Sequence, residues 1–173
     1  MAIPLYDVSV ASFLQVLSGV SGFLDKGLAH CQAKNIDLKE LVETRLAPEM
    51  LPFRFQVIAV AHHSLGAIKG AQAGVFKPPS DPMDQDYAAL QKLVAEARTG
   101  LQAISREEVN ALEGKDVTFQ MGDFKLPFVA ENFLMSFSTP NLYFHATTAY
   151  DILRMKGAPL GKRDFMGPPR LKT

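Results

Sequence analysis

Across 173 residues the chain has one cysteine, no net charge and no uninterrupted apolar run of bilayer length, and each shortage removes a class of function. The lone Cys31 forms no internal disulfide and builds no thiolate metal cage by itself. Eighteen basic and eighteen acidic side chains cancel, so no global field gathers nucleic acid or an anionic membrane. The apolar stretch between Val8 and Leu24 is broken by Ser, Gln and Gly well short of roughly eighteen continuous residues, which argues against a membrane span. The opening MAIPLYD carries no basic side chain, unlike a secretory signal, and the cytoplasm is the expected compartment. Neither a Gly-x-Ser-x-Gly elbow nor a Walker or Rossmann glycine pattern occurs, so nucleophilic hydrolysis and phosphate-loop nucleotide binding have no support. Repeats and low-complexity runs are also missing. The expectation is a single domain over residues 1–173, with a hydrophobic share of 47% that suffices for a sizeable core.

The chain does contain helical periodicity. Val10, Phe13, Leu17, Val20, Leu24, Leu28 and Cys31 recur at three- and four-residue intervals, which predicts a helix from about Ser9 to Lys34 with Ser9 as its N-cap and Cys31 in the core. Gly19, Gly22 and Gly27 lower its intrinsic helicity and point to close packing or bending. A short helix follows from Asp37 to about Leu46, and Arg45 and Glu49 flank Pro48 in a turn. The second long helix should run from Leu51 or Pro52 to about Gln72, before Gly74. On it His62 borders the apolar face while His63 lies further round, toward solvent. The segment FKPPSDPMDQD reads as a loop across one end of the domain.

Tyr87, Leu90, Val94, Ala97, Leu101 and Ile104 give the third helix a strict apolar seam. The period then changes, and DVTFQMGDFKLPF predicts a β-hairpin turning near Gly122 and Asp123. Ala130 to Ser138 is helical again, and Pro140 starts or kinks the helix that carries Asn141 and His145 and stops at Gly157 and Pro159. His145 shares its face with Leu142, Ala149, Ile152 and Met155, so its imidazole is either a satisfied core group or part of a site. Residues 162–173 read as an extended tail. The fold class is therefore all-α, four long helices bundled around one core with a short hairpin between the third and fourth.

The order RLAPEMLPFRFQV, FHATTAYDILR, GAPLGKRDF resembles a bacterial family catalogued as a domain of unknown function, number nineteen ninety-three, over nearly the whole chain. That family is similar to the DinB/YfiT-like superfamily of metalloenzymes, which implies a DinB/YfiT-like four-helix bundle. In that superfamily one histidine of the second helix joins a His-x-x-x-His pair on the last helix to hold a divalent metal. The resemblance places His145 at the second position of the pair, Asn141 at the first, and His62 as the helix-two ligand. Asparagine is a poor zinc or nickel ligand, so the implied triad is degenerate.

Three functional readings follow. A small-molecule binding module would keep an interior pocket with His62, Asn141, His145 and Arg54 as its polar groups, and Tyr143 or Tyr150 at its flanks. A metal-dependent enzyme of the DinB/YfiT-like type, such as a thiol transferase, would use zinc or nickel on His62 and His145. An interaction protein would pair two copies of the bundle through apolar stripes on the first and last helices, as superfamily relatives often do. Lys162, Arg163 and Asp164 would then clamp the nearby loop or reach a partner.

Overall fold

The protein is described by a computed structural model over residues 3–80 and 83–172. Part of the expected loop crossing, Asp81 and Pro82, lies outside the described residues. In chain order the elements are α1 (Leu5–Val8), α2 (Val10–Lys34), α3 (Leu38–Glu43), α4 (Phe53–Ala61), a π-helical turn (His62–Gly66), α5 (Ala67–Ala73) and β1 (Val75–Phe76). They continue as α6 (Tyr87–Gln102), α7 (Arg106–Asn110), β2 (Asp116–Met121), β3 (Phe124–Val129), α8 (Ala130–Asn132), a second π-helical turn (Phe133–Ser138), α9 (Thr139–Met155) and α10 (Lys162–Met166). The protein is thus mostly helical with one small sheet.

Contacts between side chains give the directions of the long helices. Tyr87 donates to the Leu24 carbonyl at 2.7 Å and Gln91 to Asp25 at 2.7 Å, while Ser18 and Gln15 face Arg98 and Gln102 further on, so α6 runs against α2. Phe53 stacks on Tyr87 at 5.9 Å and Leu65 lies against Gly100, so α6 runs with the α4–α5 rod. Phe23 meets Tyr150 and Gly27 meets Leu153, so α9 runs with α2. Parallel neighbours need a long crossover, and residues 74–86 supply it.

Most of the apolar stripes read from the sequence are buried, but Leu28 and Ile104 are half-buried and Met155, expected on the inner face of the last helix, is exposed. Phe13, Leu17, Val20, Leu24 and Cys31 of α2 pack with Val57, Ile68, Leu90, Val94 and Ile152 in one core. Fully burying each such Leu, Val or Phe contributes about 1.5–3 kcal/mol. By length and composition Leu5–Lys34 is apolar enough to cross a membrane, but half of that window is buried inside the protein, as befits a core helix.

Several local expectations need correction. Ser9 sits at the N-cap of α2 as expected but its side chain caps nothing: a short helix precedes it from Leu5, and the Ser9 hydroxyl donates back to the Leu5 carbonyl at 2.6 Å. Of the three glycines on α2, Gly22 is open, whereas Gly19 is a close approach, where an added Cβ would lie 2.3 Å from the Phe165 carbonyl oxygen. The residues expected to form an extended tail include α10, docked on that glycine. Asp164 accepts from the Gly161 N–H at 2.8 Å and from Lys26 at 2.6 Å, while Lys162 and Arg163 are exposed.

The hairpin pairs Asp116 with Val129 through Met121 with Phe124, and Gly122 takes φ 59° at the first turn position, which a glycine adopts without strain. A strand missing from the sequence reading joins it: β1 pairs parallel to β2, Val75 with Thr118 and Phe76 with Phe119. Phe76, Phe119 and Phe128 of this sheet pack on Phe133 and Phe137 of the second π-helical turn, with ring centroids 5.0 to 5.6 Å apart in three of the pairs. The sheet therefore holds the two π-helical turns in place beside the histidines.

Candidate functional site

His145 projects from α9 toward α4, where its Nδ1 lies 2.7 Å from the Gln56 side-chain oxygen. Gln56 is buried, and its amide nitrogen donates to the Leu51 carbonyl at 2.8 Å, which leaves its oxygen as the acceptor. The hydrogen-bond network thus assigns the proton of His145 to Nδ1 and a lone pair to Nε2. Phe55 and Phe144 stand edge-on to the ring at 5.7 and 5.2 Å. Burial, with a smaller contribution from the charge of His62, pushes the His145 pKa down to about 4, so the imidazole is neutral at pH 7.

His63, expected in solvent, is buried. Its ring lies nearly parallel to that of His145 at 5.8 Å and packs near Phe76 and Phe137. His63 follows two turns after the buried Gln56 and on the same side of the rod, where the last six residues of α4, Gln56 to Ala61, are all buried, so it continues that buried face into the π-helical turn at His62–Gly66. Burial first, then His62 and His145, push the His63 pKa down to about 3, and its Nδ1 has no hydrogen-bond partner.

His62 does not face His145 directly. Its ring stacks on Phe76 at 4.3 Å and its Nε2–H donates to the Lys77 carbonyl at 2.8 Å, with His63 standing 5.4 Å away between the two. Asn141 is one turn before His145 on α9, but its amide nitrogen donates back to the Phe137 carbonyl at 2.7 Å. Arg54 is elsewhere: it pairs with Glu43 of α3, and its Nε is buried without a partner. Among the described residues no three of His, Cys, Asp or Glu come together as metal ligands. His62 is turned to the Lys77 carbonyl and Asn141 to the Phe137 carbonyl, so of the three expected ligands only His145, whose Nε2 keeps its lone pair, presents a donor, and the set does not fit a three-imidazole metal site.

One concave surface adjoins this row of rings, at His62. Between the first π-helical turn and α6 runs an open groove of about 820 Å³, lined by His62, Leu65, Gly66, Lys69, Leu93 and Thr99 among others. A second, of about 730 Å³, separates α3 from the start of α6 and has Arg54 on its wall. Neither reaches His63, Asn141 or His145, so the single interior cavity expected to join His62 with His145 and Arg54 is replaced by packed rings and two surface grooves.

Gln56 and His63 are the site residues that sequence reasoning missed. For Gln56 a signal existed: in Phe53–Ala61 it is the one amide in a segment otherwise apolar except for Arg54, and a buried amide requires a fixed partner.

A family described as a domain of unknown function (DUF1993) matches residues 5–166. Among solved structures, the crystal structure of a DinB family member from Shewanella denitrificans superposes with a TM-score of 0.80 at 26% identity, covering 98% of this chain and 95% of that one. No protein of curated function matches the chain.

Proposed function

The chain belongs to the DUF1993 family, and from that premise we propose that it is a small-molecule binding module built on a DinB/YfiT-like four-helix bundle with a degenerate metal position. The observation that carries this reading is the 820 Å³ groove with His62 on its wall, a volume in the range of small-molecule sites and a lining mostly apolar with a few polar groups. Two of the three ligands that a metal would need are engaged within the protein, His62 by the Lys77 carbonyl and Asn141 by the Phe137 carbonyl. The His62 bond ties the start of the first π-helical turn to the Lys77 carbonyl, and that ring forms part of the groove wall. Cytoplasmic residence completes the proposal.

Chemical-shift mapping with a panel of small aromatic and aliphatic fragments tests it. Shifts grouped on Leu65, Lys69, Leu93 and Thr99 support the groove, whereas a panel that moves none of these signals refutes it. The alternative, a metal-dependent enzyme such as a thiol transferase, is favoured instead if protein purified without a chelating tag arrives fully loaded with zinc or nickel. A second reading, homodimerisation, is supported by the outer side of α9, where Tyr143, Phe144 and Met155 are exposed.

A further inference from the structure

We propose that the groove between the first π-helical turn and α6 takes a free, single-chain amphiphilic carboxylate, its head at Lys69 and its chain laid along Leu65 and Leu93. This inference rests on the binding-module reading and names its ligand. The groove carries two ammonium groups, Lys69 and Lys92, against one carboxylate, Glu96. Glu96 stands 3.7 Å from Lys92, one helical turn away on α6, and answers that charge. Among the described residues no carboxylate pairs with Lys69, so the excess positive charge sits at the Lys69 end.

The remainder of the lining is suited to a hydrocarbon chain. Ala61, Leu65, Leu93 and Ala97 form its apolar surface. Gly100 keeps the channel shaped this way: a Cβ there would lie 2.5 Å from a δ-carbon of Leu65, so the absence of a side chain lets Leu65 rest against α6. From Ala61 to Lys69 the helical rise spans about 12 Å, which suits a chain of about eight carbons. An ammonium amphiphile would place its charge against Lys69, and a polyanion would meet only one unanswered cation, so a single carboxylate is the matching head group.

The test titrates octanoate, 1-octanol and octylammonium into the intact protein, each below its micellar concentration, and follows backbone amide signals. Expected is saturable binding of octanoate with shifts at Leu65, Lys69 and Leu93, and weaker binding of octanol and octylammonium. Lys69→Glu should weaken octanoate about tenfold and narrow its advantage over octanol, with the folded spectrum retained because Lys69 is exposed. Lys162→Glu, an exposed charge outside the groove, should leave it unchanged. Octanol binding as tightly as octanoate, or octylammonium binding more tightly, overturns the carboxylate assignment while leaving the groove as a binding site. Failure of all three probes to shift groove residues, together with a silent fragment panel, overturns both.

Discussion

Lowering the pH from 7 to 5 should destabilise the protein through two buried imidazoles, by an amount that follows from their burial. His63 and His145 have pKa values pushed below the ordinary 6.5 to about 3 and about 4, mainly because burial disfavours the charged ring. A group whose folded pKa is depressed contributes stability above its unfolded pKa and loses it as pH falls toward the folded value. Between pH 7 and 5 the unfolded chain takes up protons on both rings while the native state takes up almost none. Linkage then gives a loss of roughly 2 kcal/mol per ring, about 4 kcal/mol for the pair. The carboxylates Asp7, Asp164 and Glu108 also have lowered pKa values, held down by Arg106, by Lys26 and by the Ser105 backbone respectively, but their ordinary values of 3.8 to 4.5 put most of their loss below pH 5. Urea unfolding monitored by circular dichroism, at both pH values, measures the difference. His63→Phe keeps an aromatic ring in place and should remove about 2 kcal/mol of the pH-dependent loss, whatever its effect at pH 7. Equal stability at pH 7 and 5 in the wild type, or an undiminished pH dependence in His63→Phe, would refute the buried neutral pair.

Other expectations follow from single contacts. Gln56→Leu leaves the Nδ1–H of His145 without its acceptor and should cost about 1–3 kcal/mol in urea unfolding. Asn141→His should raise zinc retention, read by elemental analysis, and His63→Ala should cancel the gain more fully than His62→Ala, because His63 is the imidazole packed against His145. Gly19→Ala forces a Cβ onto the Phe165 carbonyl and should cost about 1–3 kcal/mol while exposing the Lys162–Arg163 bond to trypsin. Light scattering at tens of micromolar, an order-of-magnitude concentration for specific association, should give the mass of two chains, and a monomer alone counts against homodimerisation.

The long helices are legible in the sequence because three- and four-residue spacing reports directly on a buried face, as in Val10 to Cys31 and Tyr87 to Leu101. The hairpin is legible because Gly122 supplies a backbone conformation that few residues adopt. The π-helical turn is not legible in this way. It preserves the composition of a helix, and the contacts that hold its first two residues, His63 against His145 and His62 against Phe76 and the Lys77 carbonyl, come from elsewhere in the chain. The two-residue strand β1 is too short to carry a pattern, and its partner lies more than forty residues further on. Arg54 looks inward by spacing, yet the acidic side chain of Glu43 on the neighbouring short helix draws it to the opposite site. Long-range charge and ring packing decide these positions, and neither has a local signature.

The most direct test of a binding module with a degenerate metal position is a crystal structure of untagged protein grown with octanoate, with anomalous scattering recorded at the zinc and nickel edges. The account predicts a chain of density in the groove along Leu65 and Leu93, His62 turned to the Lys77 carbonyl, and no anomalous peak at His145. An anomalous peak shared by the His145 Nε2 and a second imidazole, with the groove empty, would contradict it.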